Sequence, residues 1–231
     1  MINSVNEQLR ELYATHYGKL LQEFDGYENN RAGEKPTNPL LIHIDDEERY
    51  QASDVKIMFF GQETYDWEGP CGKDIDHLLT TYKDFLGVIR GGGYNSPFWN
   101  FVRGYVKSVQ SKNPDKKVDY IWNNILKVGR ADAAGKPSSE IIKLQQDYFP
   151  VIKAEIEILQ PDVAVFFTGP YYDEHIKQEF PDAEFVKIQD MKERTICEIH
   201  SAYLPARAFR TYHPGYLVRG KLALFEMLKD L

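Results

Sequence analysis

The chain has 231 residues, 42% apolar and 27% charged, which is ordinary globular usage and excludes wholesale disorder and fibrous repeats. Lys and Arg number 28 against 35 Asp and Glu, so the formal charge of −7 excludes the uniformly basic composition of a protein held to nucleic acid by charge alone. The length suits one large domain or two small ones. Residues 1–7 (MINSVNE) have no basic or apolar leader character, and the longest apolar run, 163–167, is too short to cross a bilayer. The expectation is a cytoplasmic protein without membrane contact, with Cys71 and Cys197 as free thiols. Two cysteines cannot by themselves hold an iron–sulfur cluster or a structural zinc.

In chain order, Leu9, Leu12, Tyr13, Tyr17, Leu20 and Leu21 recur at three- and four-residue steps and predict an amphipathic helix over 6–24. Residues 26–39 read as a polar loop, so 1–50 is expected to be a helical extension and loop before a main domain at 51–231. The apolar run 55–60 ends at Gly61, the form of a buried strand feeding a loop. Gly91-Gly92-Gly93 breaks the chain, and Ser96-Pro97 opens a helix to about 109. A strand over 120–126 follows, then a helix from Ser138 to about 159, stopped by Pro161. Residues 162–169 form the clearest strand. A helix from about 171, strands near 183–188, 195–200 and 209–211, a loop at 213–215 and a closing helix from about 222 complete the series. Strands alternating with helices predict an α/β fold, a three-layer α/β/α sandwich with a mostly parallel central sheet. Tyr13, Tyr17, Phe59, Phe60, Phe166 and Phe167 read as core. Trp67, Trp99 and Trp122 also read as packing residues beside the motifs.

In such sheets ligands sit beyond the carboxyl ends of the strands. Three motifs fall there: Gly61-Gln62-Glu63-Thr64-Tyr65, the Asn123-Asn124 pair, and Tyr212-His213-Pro214-Gly215-Tyr216-Leu217. Singly, a loop carboxylate, a strand amide and a His before Pro are ordinary solvated or turn residues. His16, His43, His77, His175 and His200 keep that reading. Together a carboxylate, an amide and an imidazole could meet in one crevice.

Across residues 55–221 these motifs resemble the uracil-DNA glycosylase superfamily. Gly61-Gln62-Glu63-Thr64-Tyr65 is similar to its Gly-Gln-Asp-Pro-Tyr and Gly-Glu-Ala-Pro-Gly motifs, and Trp122-Asn123-Asn124 resembles the strand whose Asn contacts the base. Leu159-Gln160-Pro161-Asp162-Val163 through Thr168-Gly169 resembles a strand of the iron–sulfur branch, and His213-Pro214-Gly215-Tyr216-Leu217-Val218-Arg219 resembles the last motif. The resemblance implies a uracil-DNA glycosylase-like fold and hydrolysis of an N-glycosidic bond, with uracil or a related base leaving DNA. Glu63 would stabilise the oxocarbenium-like sugar and orient water, and His213, held neutral, would donate to the departing base. Asn124 would pair with the base edge, Phe98 would stack on it, Tyr65 would reject a C5 methyl group by clash, and Gln62 would complete the base pocket. Gly169, Pro214, Gly215 and Arg219 would contact DNA, with Leu217 as the wedge entering the duplex.

The sequence departs from the pattern where Thr64 replaces Pro, which loosens the first motif, where Glu63 is a methylene longer than Asp, and where Gly215 replaces Ser or Ala. The cluster cysteines are missing, so no cluster is expected, and the chemistry that the resemblance implies requires no metal and no cofactor. Two other readings stand: a non-catalytic nucleic-acid-binding member of the fold, and a hydrolase acting on free nucleosides or nucleotides. Residues 101–130 carry seven basic and two acidic side chains, and 201–231 five against two. DNA is therefore expected on one basic face built from Arg103, Lys107, Lys127, Arg130, Arg207, Arg210, Arg219 and Lys221.

Overall fold

The computed structural model describes residues 3–30 and 33–217. In chain order they form α1 (Val5–Asn30), α2 (Glu47–Gln51), β1 (Val55–Tyr65), α3 (Ile75–Arg90), α4 (Pro97–Lys112), β2 (Val118–Arg130), α5 (Ser139–Tyr148) and α6 (Ile152–Leu159). Then come β3 (Val163–Phe166), a 3-10 turn (Pro170–Tyr172), α7 (Asp173–Glu179), β4 (Glu184–Lys187), β5 (Ile196–His200), β6 (Arg207–Thr211) and the single turn α8 (Pro214–Leu217). One six-stranded sheet has the order β2-β1-β3-β6-β5-β4. The first four strands are parallel, and β5 and β4 add on antiparallel. The fold is thus mixed α/β on a mostly parallel sheet.

Alternation along the parallel strands decides which helix meets which side chain. Phe59 pairs in register with Trp122, and both point to one face, where Phe59 meets Tyr105 of α4 and Trp122 meets Tyr82 of α3 and Trp99 of α4. Phe60 and Asn123 point to the other, where Phe60 stacks on Phe166 at 4.3 Å, Phe166 meets Phe180 after α7, and Asn123 reaches Glu155 of α6. Helices therefore cover both faces. Tyr13, Tyr17, Phe59, Phe60, Phe166 and Phe167 are all buried, as their positions led one to expect.

Several elements differ from the sequence reading. The 26–39 loop begins later, because α1 runs through Gly26 to Asn30: the roughly 1 kcal/mol that a helical glycine costs is offset by buried Phe24 and by Tyr27, whose hydroxyl lies 3.4 Å from Ser138 Oγ. Helix α1 packs on α5 and α6, and its apolar face belongs to the same core cluster as the sheet. The long helix expected over 138–159 is two, since Pro150 has no N–H to continue α5. Helix α3, capped by Asp74 on the His77 N–H at 2.8 Å, was not foreseen. The 213–215 loop is the start of α8, and the closing helix expected from 222 lies outside the described residues.

Behind β2 lies a charged pair with no exposed surface. Lys127 Nζ donates to Glu155 Oε1 (2.7 Å) and to Asn123 Oδ1 (2.7 Å). Glu155 also accepts from the Tyr13 hydroxyl (2.7 Å) and from Asn123 Nδ2 (2.9 Å). Removing one member leaves an uncompensated buried charge, which costs about 3–5 kcal/mol. Lys127→Met is expected to lower the urea unfolding free energy by that amount, and a loss under about 1 kcal/mol would show that the pair does not brace α1 and α6 against the sheet.

Candidate functional site

A cleft of about 730 Å³ opens at the carboxyl ends of β1 and β2. Strand β1 does not end at Gly61 as expected. It continues through the first motif to Tyr65, with Gly61 opposite Asn124 and Glu63 opposite Leu126, and the register then shifts before Tyr65 meets Arg130. That irregularity ends the regular ladder at the mouth of the cleft, a common place for a bulge to re-aim a side chain. Thr64 does not loosen the segment. It is buried, its hydroxyl is 3.0 Å from that of Thr37, and Thr37 Oγ1 accepts from the Gly129 N–H (2.8 Å).

Gln62, Glu63, Tyr65, Phe98, Asn124 and His213 all line this one cleft. Asn124 reaches it because it shares a face with Trp122, whereas Asn123 is turned to the ion pair behind. The approach is so close that a Cβ on Gly61 would lie 2.2 Å from Asn124 Oδ1. Asn124 Nδ2 and the Trp67 indole N–H, both of lining residues, are buried without a hydrogen-bond partner among the described residues. Unpaired buried donors are uncommon and call for an acceptor.

Glu63 is half-buried at the end of β1, and its Oε2 accepts from the Tyr172 hydroxyl. Burial pushes its carboxyl above the usual range, while the Tyr172 hydrogen bond and the Lys136 charge act the other way. His213 follows β6. Its ring stacks on Phe98 with centroids 5.6 Å apart, and its Nδ1 accepts from the Gly215 N–H at 3.1 Å. The proton of the neutral ring therefore sits on Nε2. Burial lowers the His213 pKa, which favours that neutral form. Ser96 caps α4 on the Trp99 N–H at 3.3 Å, setting Phe98 and Trp99 into the wall. Trp67, Trp99 and Trp122 pack together, as expected, and also line the cleft.

Other expected roles meet obstacles. Tyr65 is 70% exposed at the rim, without the close packing that rejecting a methyl group requires. Gly169 lies in a second, adjoining cleft, where its N–H donates to Thr211 O (2.9 Å), and the Gly215 N–H is held by His213; neither amide is left for a phosphate. Pro214 is buried. The side chain of Leu217, and Arg219 and Lys221, lie outside the described residues.

The expected basic face is also corrected. Lys127 and Arg210 are buried, paired with Glu155 and Asp173. Arg207 opens β6, at the strand end away from the cleft. Arg103 is tied to the carbonyls of Ile89, Gly93 and Tyr94, and Arg130 to Glu34. Lys107 is exposed on α4. No Lys or Arg is among the described lining residues, whereas Glu63, Asp66 and Glu68 are. Sequence reasoning missed Tyr172, Phe85 and Tyr94. The signal for Tyr172 was its place just after the β3 strand end, and Phe85 and Tyr94 went unseen with α3.

Two outcomes follow. Because the folded pKa of His213 lies below the unfolded value of about 6.5, the unfolded chain binds this proton first as pH falls. Its contribution therefore favours folding above that window and is lost as pH drops from about 6.5 through the folded pKa; a ¹⁵N titration placing His213 at or above 6.5 would overturn this. Gly61→Ala should displace the Asn124 amide and cost about 1–3 kcal/mol in urea unfolding, the usual range for overpacking.

No protein-family model matches the chain, and no curated protein matches it.

Proposed function

We propose that this chain hydrolyses the N-glycosidic bond of uracil or a related base in DNA. The observation that carries the reading is a pair of buried donors without acceptors among the described residues, Asn124 Nδ2 and the Trp67 indole N–H, on an aromatic-walled cleft that His213 also lines. A flat, carbonyl-bearing ring answers both features, stacking on the walls and accepting from the donors.

The chemistry then divides among the remaining groups. As the bond from C1′ to the base nitrogen breaks, its electron pair passes to the base and positive charge develops on the sugar. The Glu63 carboxylate stabilises that charge. Tyr172 occupies Oε2, which leaves Oε1 to orient the water whose oxygen bonds to C1′. His213 Nε2–H strengthens its hydrogen bond to the base carbonyl as negative charge accumulates there, and the water's proton ends on the released base. A neutral imidazole suits this role, because a fixed imidazolium is costly in a buried cleft. Asn124 selects the base by its edge.

A second reading, hydrolysis of free nucleosides, is favoured by one observation: among the described residues no Lys or Arg lines the cleft. Oligonucleotides carrying one uracil, single-stranded and duplex, assayed beside deoxyuridine, separate the two. Strand scission after alkali is expected, with Glu63→Gln and His213→Ala each lowering kcat by about 10²-fold or more while the variants remain folded at the assay temperature. Release from deoxyuridine alone would favour the second reading. Absence of release from uracil, hypoxanthine, xanthine and mismatched thymine would end the proposal.

A further inference from the structure

The second cleft, of about 300 Å³, shares Gln62 and His213 with the first. Three observations there call for a ligand. Thr168 is fully buried and lines it, yet its hydroxyl has no hydrogen-bond partner among the described residues. Arg194 has no carboxylate partner among the described residues. Its guanidinium is held instead by tyrosines, with Cζ 5.2 Å from the Tyr171 ring, an N–H donating to the Tyr171 hydroxyl at 2.9 Å, and Tyr212 as a second partner. Tyr171 and Tyr216 line the same cleft and are 72% and 63% exposed, among the most exposed large rings of the described residues.

Exposed aromatic rings beside an uncompensated guanidinium are the chemistry by which proteins hold an unpaired nucleotide: the base stacks and the cation meets the phosphodiester. The polar floor under Thr168 supplies a hydrogen bond to the same group. Because His213 forms a wall of both clefts, a nucleotide in the second would lie next along the strand from a base held in the first. We infer that the second cleft is a subsite for the nucleotide adjoining the target, with its base on Tyr171 and Tyr216 and its linking phosphodiester facing Arg194. This rests on the proposed function and narrows it. The smallest good substrate is a dinucleotide, and single strands are preferred to duplexes, in which the neighbouring base is already paired and stacked.

The test compares deoxyuridine, two-nucleotide strands carrying uracil on the 5′ or 3′ residue, and a uracil-containing duplex. One dinucleotide is expected to exceed deoxyuridine and the duplex in kcat/KM by about tenfold. Tyr171→Ala should remove about tenfold of it through KM, the worth of one base–aromatic stack. Tyr171→Phe, which keeps the ring, should stay within about threefold of the parent. The high exposure of Tyr171 means that its truncation leaves no cavity. Uracil release with equal kcat/KM for nucleoside and dinucleotides, or a Phe variant as impaired as the Ala variant, would overturn the subsite and leave the hydrolase reading standing. If no substrate releases its base, the hydrolase reading falls and the subsite is decided by binding of a thymidine dinucleotide: about tenfold weaker binding by Tyr171→Ala supports it, and equal binding overturns it.

Discussion

An ammonium and a carboxylate without exposed surface meet at 2.7 Å behind β2, and the placement of the cleft depends on their being fully satisfied. Withdrawing each ion from water costs several kcal/mol, which Coulomb attraction offsets only when the remaining donors and acceptors are also used. Glu155 takes hydrogen bonds from Lys127, Tyr13 and Asn123, so α1, α6 and β2 must keep one mutual register. Burial still holds the Lys127 pKa below its ordinary value, despite the pull of Glu155. A strand fixed in this way on one face is also fixed on the other. With Asn123 committed to the pair, the pleat sends Trp122 and Asn124 to the cleft, and a slip of one residue would bury Asn124 in the ion network and bring Asn123 forward.

On the cleft side burial acts on groups that have fewer partners. It raises the Glu63 carboxyl and lowers the His213 imidazole, and the two effects differ in what opposes them. Glu63 keeps Tyr172 and the Lys136 charge, which favour the carboxylate, whereas among the described residues His213 meets the Phe98 ring and a backbone N–H and no carboxylate. The same apolar surroundings therefore leave a supported anion opposite a neutral donor. The aromatic wall that desolvates both is the wall a flat ring would stack on, so recognition and tuning come from one set of side chains.

What the sequence disclosed follows from how local each signal is. The apolar runs at 55–60 and 163–167, the Ser96-Pro97 cap and the stop at Pro161 are written in adjacent residues, and each has its element in the structure. The convergence of Glu63, Asn124 and His213 was legible because parallel strands align their carboxyl ends. The extension of β1 through Tyr65 was not, since Gly61 reads as a terminator and only the close approach of Asn124 explains a glycine inside the strand. Nor was the hydrogen bond between Tyr172 and Glu63, whose partners stand 109 residues apart. Pro150 was visible and was overridden by a periodicity that the two shorter helices share.

The basic face shows most clearly where counting fails. A local excess of Lys and Arg describes the surface only if those side chains are at the surface, and in residues 101–130 and 201–231 it includes Lys127 and Arg210, each neutralised inside by a carboxylate from another part of the chain. The compensating acids, Glu155 and Asp173, lie outside both windows, so the windows overstate the charge that a phosphate would meet. The cleft itself carries Glu63, Asp66 and Glu68 and, among the described residues, no Lys or Arg. The described walls thus offer rings and hydrogen-bond donors more than positive charge, and a base held there would gain its affinity over short range. Such contacts are screened little by salt, unlike phosphate contacts, whose strength falls steeply with ionic strength. The acidic total of the chain is then compatible with the proposed ligand, because rings and short-range donors on the described walls would hold a base without a basic stripe.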